Sequence, residues 1–147
     1  MTNKVYISWE NYQKDVRSLA KRIRDRNITS IIAVTRGGLF PAAILSTELG
    51  IRLVDTLCLS SYVHDRQGEM TILKKPEIDL TNTLIIDDLS DTGNTARVIK
   101  ELFPNSFYCC VYVKPKGAVY PDEFVREYPQ DTWIVQPWDV GEDGFLD

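Results

Sequence analysis

Two neighbouring acids, Asp87 and Asp88, follow the apolar run Leu84–Ile86, and shortly after them comes Asp91-Thr92-Gly93-Asn94-Thr95. Paired carboxylates accept hydrogen bonds from sugar hydroxyls and suit a hard divalent cation. The loop behind them offers hydroxyls, a glycine free to take positive φ, and backbone amides at the start of a helix, a set that suits a phosphate. A second turn, Thr35-Arg36-Gly37-Gly38, ends another apolar run. Its glycines let the backbone approach a ligand closely, and Arg36 adds a fork of donors matched to phosphate oxygens. Lys114 ends a further run, Phe107–Val113. Taken singly, each feature has an ordinary reading: a solvated strand end, a tight turn with a surface arginine, an exposed lysine. Their recurrence after successive apolar runs is what separates them from the ordinary.

Those runs are the elements that must do the positioning. Ile31–Val34, Leu53–Tyr62, Leu84–Ile86 and Phe107–Val113 are short, β-branched or aromatic, and read as strands buried on both faces. If they are parallel, Arg36, Tyr62, the acids and Lys114 all meet at the carboxyl edge of one sheet, where open α/β folds bind ligands. A helix from about Trp9 to Arg26 has Ser8 as N-cap and a stripe of Trp9, Tyr12, Val16, Leu19, Ala20 and Ile23. Pro41 and Gly50 bracket a second helix, and a third buries Ala96, Ile99, Leu102 and Phe103 before Pro104. The polar stretch 63–75, with Arg66, Gln67, Gly68 and Glu69, reads as a lid or a plain surface hairpin. The aromatic segment Phe124–Trp138 reads as a small sheet or hood over the sheet edge, about 120–140, although Trp133 and Trp138 would also serve as core.

Composition sets the outer bounds. At 147 residues, 44% hydrophobic and 26% charged, the chain suits one domain spanning 1–147. A net charge of −4 argues against a general nucleic-acid surface. No apolar stretch approaches the roughly 18 residues of a membrane span, and Met1-Thr-Asn-Lys lacks the apolar core of a signal peptide, so a cytoplasmic location is expected. Cys58, Cys109 and Cys110 read as buried thiols, and the single histidine, His64, as an exposed loop residue. Neither a P-loop nor a Gly-x-Gly-x-x-Gly fingerprint occurs.

The acidic pair followed by the Asp-Thr-Gly-Asn-Thr loop resembles the phosphoribosyl-diphosphate (PRPP) signature of the type I phosphoribosyltransferases. Ile32-Ala-Val-Thr-Arg-Gly-Gly38, Leu59-Ser-Ser-Tyr62, Lys114-Pro115, Pro129-Gln-Asp-Thr-Trp-Ile134 and Gln136-Pro-Trp-Asp139 are similar to the bacterial xanthine-guanine branch of that family. The resemblance extends over nearly the whole chain. It implies an α/β fold with a mostly parallel central sheet flanked by helices and a hood over the strand carboxyl ends. It also implies transfer of phosphoribose from PRPP to a 6-oxopurine (guanine, xanthine or hypoxanthine), with Mg²⁺ as cofactor and a homotetrameric assembly.

Residue by residue, the resemblance puts the diphosphate on Arg36 and Gly37, with a cis peptide at Thr35–Arg36. It puts the ribose hydroxyls on Asp87, the metal chiefly on Asp88, and the 5′-phosphate on Thr92, Gly93, Asn94 and Thr95. Asp91 would stand beside N7 of the base, at the edge of the PRPP site, as the catalytic acid or base. Lys114 would reach the 6-oxo group, Trp133 would cover the ring, and the Ile134 backbone would read its edge. Ser61 and Tyr62 would form the base of the lid. Gly68 stands where the family's lid arginine is expected, with Arg66 two positions earlier. Two other readings stand beside this one: a PRPP-sensing regulatory module, and a phosphoribosyltransferase for adenine or a pyrimidine. The first is opposed by the lack of room for a DNA-binding domain and by the acidic balance, and the second mainly by Lys114.

Overall fold

In a computed structural model, residues 3–61 and 70–139 are described. The elements, in order, are β1 (Asn3–Tyr6), α1 (Trp9–Ile23) with a 3₁₀ turn (Arg24–Arg26), β2 (Ser30–Thr35), α2 (Leu39–Leu49), β3 (Val54–Ser61) and β4 (Met70–Lys74). They continue with β5 (Thr83–Ser90), α3 (Asn94–Leu102), β6 (Phe107–Val113), β7 (Arg126–Glu127) and β8 (Thr132–Val135). The central sheet has the order β4-β3-β2-β5-β6-β7 and is parallel except for β4, which runs antiparallel to β3. A separate parallel pair joins β1 to β8.

Alternation along the strands explains the layering. Ile31, Ala33, Leu84, Ile86, Cys109 and Val111 share one apolar cluster with Tyr12, Val16, Leu19 and Ile23 of α1 and Ala42 and Leu45 of α2. Ile32, Val34, Ile85, Tyr108 and Cys110 join Ala96 and Ile99 of α3 on the opposite face. The strands are therefore covered on both sides, as their unbroken apolar runs require. Each fully buried Leu or Ile contributes about 1.5–3 kcal/mol. Ser30 and Thr83, polar and buried at the strand starts, satisfy each other through their hydroxyls at 2.7 Å.

Several local expectations need correction. Pro41 is not the first helical residue, because α2 begins at Leu39; a proline fits anywhere in the first turn, where its missing N–H has no intrahelical partner. Gly50 does end that helix, at φ 69°. Ser8 caps α1 as expected, its Oγ accepting from the Asn11 amide at 3.1 Å, but Trp9 lies half exposed at the start of the stripe. Leu102, expected in the core, is 39% exposed as the last residue of α3. Cys58 is only half-buried, since its strand has the short β4 as an edge neighbour, whereas Cys109 and Cys110 are fully buried. The stretch expected as a lid ends in ordered strand at Met70–Lys74; Tyr62, His64 and Arg66 lie outside the described residues. Strand β1 answers to no sequence signal of its own and exists as the partner of β8.

Candidate active site

Strand β5 runs past the two acids to Ser90, further than its apolar core suggests. The reason lies in its neighbours. On one side β6 continues, with Asp87 opposite Cys110 and Ser90 opposite Val113. On the other, β2 pairs only as far as Ala33 opposite Ile86, because the chain turns away at Arg36-Gly37-Gly38. Asp87 and Asp88 therefore border a notch that β2 leaves open.

The turn fits into that notch only without side chains. A Cβ on Gly38 would lie 2.5 Å from the Ile86 carbonyl oxygen and 2.6 Å from that of Val34, and one on Gly37 would lie 2.5 Å from Asp88 Cγ. The peptide Thr35–Arg36 is cis. Arg36, Gly37 and Asp88 line one cavity of about 630 Å³ with Leu39, Phe40, Trp138 and Asp139. Phe40 and Trp138 stack at 4.0 Å and 7° along its wall, so Trp138 is used for packing. Asp139 was without a role in the sequence reading. It is fixed by accepting the Gln136 amide at 2.8 Å, in a turn that the Pro-Trp dipeptide could have signalled.

The acidic pair is electrostatically strained. Burial, and then the charge of Asp88, pushes the Asp87 carboxyl well above its ordinary range. Burial also raises Asp88, only partly countered by hydrogen bonds from Asp87 and from the Asp88 and Leu89 amides, with Asp139 adding repulsion. One side-chain oxygen of Asp87 accepts the Asp88 amide at 2.8 Å. Two carboxylates so placed favour a proton or a cation between them. Among the described residues no three potential metal ligands converge, so a metal held here would draw most of its ligands from substrate and water.

Beyond Ser90 comes Asp91-Thr92-Gly93-Asn94-Thr95, the loop expected to take a phosphate. Gly93 caps α3 at φ 89°, and a Cβ there would meet the Tyr120 ring at 2.7 Å and the Lys116 carbonyl at 2.9 Å. Thr92 Oγ1 accepts the Asn94 amide at 3.4 Å, so the loop is held from below by Tyr120 and from within by Thr92. Thr95 follows in the first turn of the helix.

The third part joins β5 to β6. Lys114 Nζ lies 3.0 Å from Asp91 Oδ2, with the lysine side chain 4% exposed and the aspartate 46% exposed. A buried ammonium with one carboxylate on an open side has donors left for a ligand oxygen. Gln130, which the sequence reading passed over, donates from Nε2 to Asp91 Oδ1 at 2.9 Å. Trp133 is half exposed in β8 while its neighbours Thr132, Ile134 and Val135 are buried, so it is not a core tryptophan. Ser61 ends β3 opposite Met70.

Residues 8–144 match the phosphoribosyl transferase domain. The chain belongs to the phosphoribosyl transferase family. Over 135 residues it is 44% identical to the xanthine-guanine phosphoribosyltransferase of Chromohalobacter salexigens, covering 92% of this chain and 83% of that protein. The purine phosphoribosyltransferase of Pyrococcus horikoshii superposes with a TM-score of 0.80 at 32% identity, over 92% of this chain and 94% of that one. The xanthine-guanine-hypoxanthine phosphoribosyltransferase of Helicobacter pylori shares the fold, with a TM-score of 0.78 at 24% identity over 94% and 95% of the two chains. A phosphoribosyl transferase fold with a mostly parallel sheet is thus the frame for the notch, the loop after β5 and the Lys114–Asp91 pair. No helix among the described residues is long and apolar enough to cross a membrane.

Proposed function

We propose that this chain is a purine salvage enzyme joining guanine, xanthine or hypoxanthine to PRPP, with release of diphosphate and formation of the nucleoside 5′-monophosphate. The observation that carries this is the buried Lys114 ammonium 3.0 Å from Asp91, at the end of the strand beside the anion loop. A cation so enclosed favours a base carrying a carbonyl at position 6, and its partner carboxylate supplies an acceptor for a neighbouring ring N–H.

In this reading Thr92, Gly93, Asn94 and Thr95 hold the 5′-phosphate at the start of α3, and Asp87 accepts from the ribose hydroxyls. Arg36 and the Gly37 amide face the departing diphosphate, whose developing charge needs fixed donors. Trp133 offers a flat apolar face to the purine, the Ile134 backbone reads its edge, and Asp91 takes or shares the N7 proton as N9 attacks. The charge of Asp88 against Asp87, with Asp139 on the same cavity as Asp88, fits Mg²⁺, held chiefly by Asp88. When bound, that ion supplies neutralisation of diphosphate charge. Ser61, Tyr62 and Arg66 would contribute from the lid, 63–75, whose last part is strand β4.

The reading extends to one phosphoribosyltransferase domain over 1–147, with a hood at about 120–140, in a cytoplasmic homotetramer. Exposed apolar side chains at Leu53, Leu73 and Val119 are available to contacts between copies. The deciding experiment is PRPP-dependent nucleotide formation from guanine, xanthine, hypoxanthine and adenine, with and without Mg²⁺. Turnover of the three 6-oxopurines and not adenine is expected; adenine as the best acceptor would overturn the proposal.

A further inference from the structure

Gln130 lies in the turn that leads into β8, where the Pro129 carbonyl accepts the Thr132 amide at 3.0 Å. Its side chain reaches across to two other loops. Nε2 donates to Asp91 Oδ1 at 2.9 Å and to the Asp91 carbonyl oxygen at 3.2 Å, while Oε1 accepts from the Lys116 amide at 2.9 Å. The Lys116 N–H can only donate, so it fixes which end of the Gln130 amide faces Asp91. The same NH₂ group therefore holds both the carboxylate and the backbone carbonyl of one residue. That pairing ties the Asp91 side chain to its own main chain in a single orientation, with Oδ2 left to Lys114 at 3.0 Å.

Lys114 holds Oδ2 alone and leaves the other oxygen and the main chain to Gln130. Asp91 follows the end of β5, and its side chain is 46% exposed. A half-exposed carboxylate without a second holder would sample other rotamers at little cost. Gln130 also connects the loops after β5 and β6 to the strand that carries Trp133 and Ile134. One side chain thus sets the relation between the carboxylate and the strand proposed to hold the base.

We infer that Gln130 is a positioning residue, one that holds the Asp91 carboxylate in the orientation required for proton handling at the purine. The inference rests on the proposed role of Asp91 beside the base. Gln130 itself touches neither substrate nor metal in this account. Small misplacements of a reacting group are expensive in rate, so loss of the restraint should appear in turnover rather than in PRPP binding.

The test measures kcat, and KM for PRPP and guanine, in the parent, Gln130→Met, Gln130→Glu, Asp91→Ala and the double variant Asp91→Ala/Gln130→Met, with thermal midpoints alongside. Gln130→Met keeps the length of the side chain and removes all three bonds. Gln130→Glu retains an acceptor for the Lys116 amide but sets a carboxylate against Asp91. We expect kcat to fall about 10- to 100-fold in both single variants, with KM for PRPP within about twofold of the parent. In the double variant, the Gln130 change should add nothing to the loss caused by Asp91→Ala, since both act through one carboxylate. A residue that only docks the turn onto Lys116 would instead leave Gln130→Glu near parent turnover. That result, or additive losses in the double variant, with Asp91→Ala itself impaired, overturns the inference alone. Parent-like turnover in Asp91→Ala overturns the reading beneath it, and the inference with it.

Discussion

Replacing Lys114 by Met removes a nearly buried ammonium while keeping an unbranched side chain of similar length, and so tests how the base is chosen. In the parent, the lysine side chain is 4% exposed and its Nζ lies 3.0 Å from Asp91 Oδ2. Guanine offers the cation a carbonyl oxygen, whereas adenine offers an amino group and sets donor against donor. A hydrogen bond from a charged group is worth about 1.5–3 kcal/mol net. The figure for breaking a fully buried ion pair, about 3–5 kcal/mol, is too large here, because the open side of Asp91 lets water and Gln130 take up its charge. With 2–3 kcal/mol lost, kcat/KM for guanine should fall about 30- to 150-fold. Adenine has no bond to Lys114 to lose, so its activity should not fall with that of guanine. The assay is kcat/KM for both bases in parent and variant. The ratio should collapse mainly through loss of guanine activity; an unchanged ratio would show that position 6 is read elsewhere and would refute the argument.

Asp91→Ala should lower kcat by about 10²–10⁴ while PRPP affinity stays near that of the parent, because only proton handling is lost; single-turnover kinetics with a separate PRPP binding measurement would check this. Gly37→Ala brings a methyl group against the Asp88 carboxylate, a crowding worth about 1–3 kcal/mol, so KM for PRPP should rise about 10- to 100-fold without loss of fold. Parent-like PRPP kinetics would count against a diphosphate site in the notch. Asp55 concerns stability instead. A hydrogen bond from Lys74, and then the Glu77 and Thr56 amides, hold its carboxyl at about 2, below the ordinary 3.8. Its contribution is therefore complete above about pH 4 and is lost as pH falls through about 2. Lys74 is 43% exposed, which reduces a ceiling of about 2 kcal/mol to about 1 kcal/mol. Urea denaturation of Asp55→Asn should show that deficit at pH 7 and a smaller one at pH 3.

The parts of this molecule that could be read in the chain are those governed by neighbours in sequence. Runs such as Ile31–Val34 and Phe107–Val113 carry their own strand signal, and their ends carry Arg36 and Lys114, so convergence on one sheet edge followed from parallel order alone. The less legible parts depend on what lies alongside. Strand β5 continues through Asp87 and Asp88 because β6 does, a fact no property of two aspartates could announce. Trp133 and Trp138 look alike in sequence, yet one lies half exposed and the other stacks on Phe40, a residue about a hundred positions away. Gln130 is a polar residue in a turn, the most ordinary of signals, and its three hydrogen bonds all cross to other loops. Asp139 was passed over for the same reason: its place on the cavity is set by the turn of Gln136, Pro137 and Trp138 packing onto α2.

The pairing of β1 with β8 bears on the order in which the molecule is assembled. Asn3 faces Thr132 and Lys4 faces Trp133, partners separated by roughly 130 residues of chain. The strands that frame the notch and the anion loop, β2 to β6, have all been made by Val113, and their pairings join segments much nearer in sequence. The strand bearing Trp133 gains its partner only when the two extremes of the fold meet. During synthesis, the half that carries the notch and the loop after β5 therefore has its strands in hand before the half that carries Trp133 has any sheet to join. The pairing is short, with four residue pairs in register and one further bond from the Ile7 amide to the Val135 carbonyl. The same short ladder should be among the first to open in the native state, with amide exchange at Val5 and Ile134 running ahead of exchange at Ile85 and Val111.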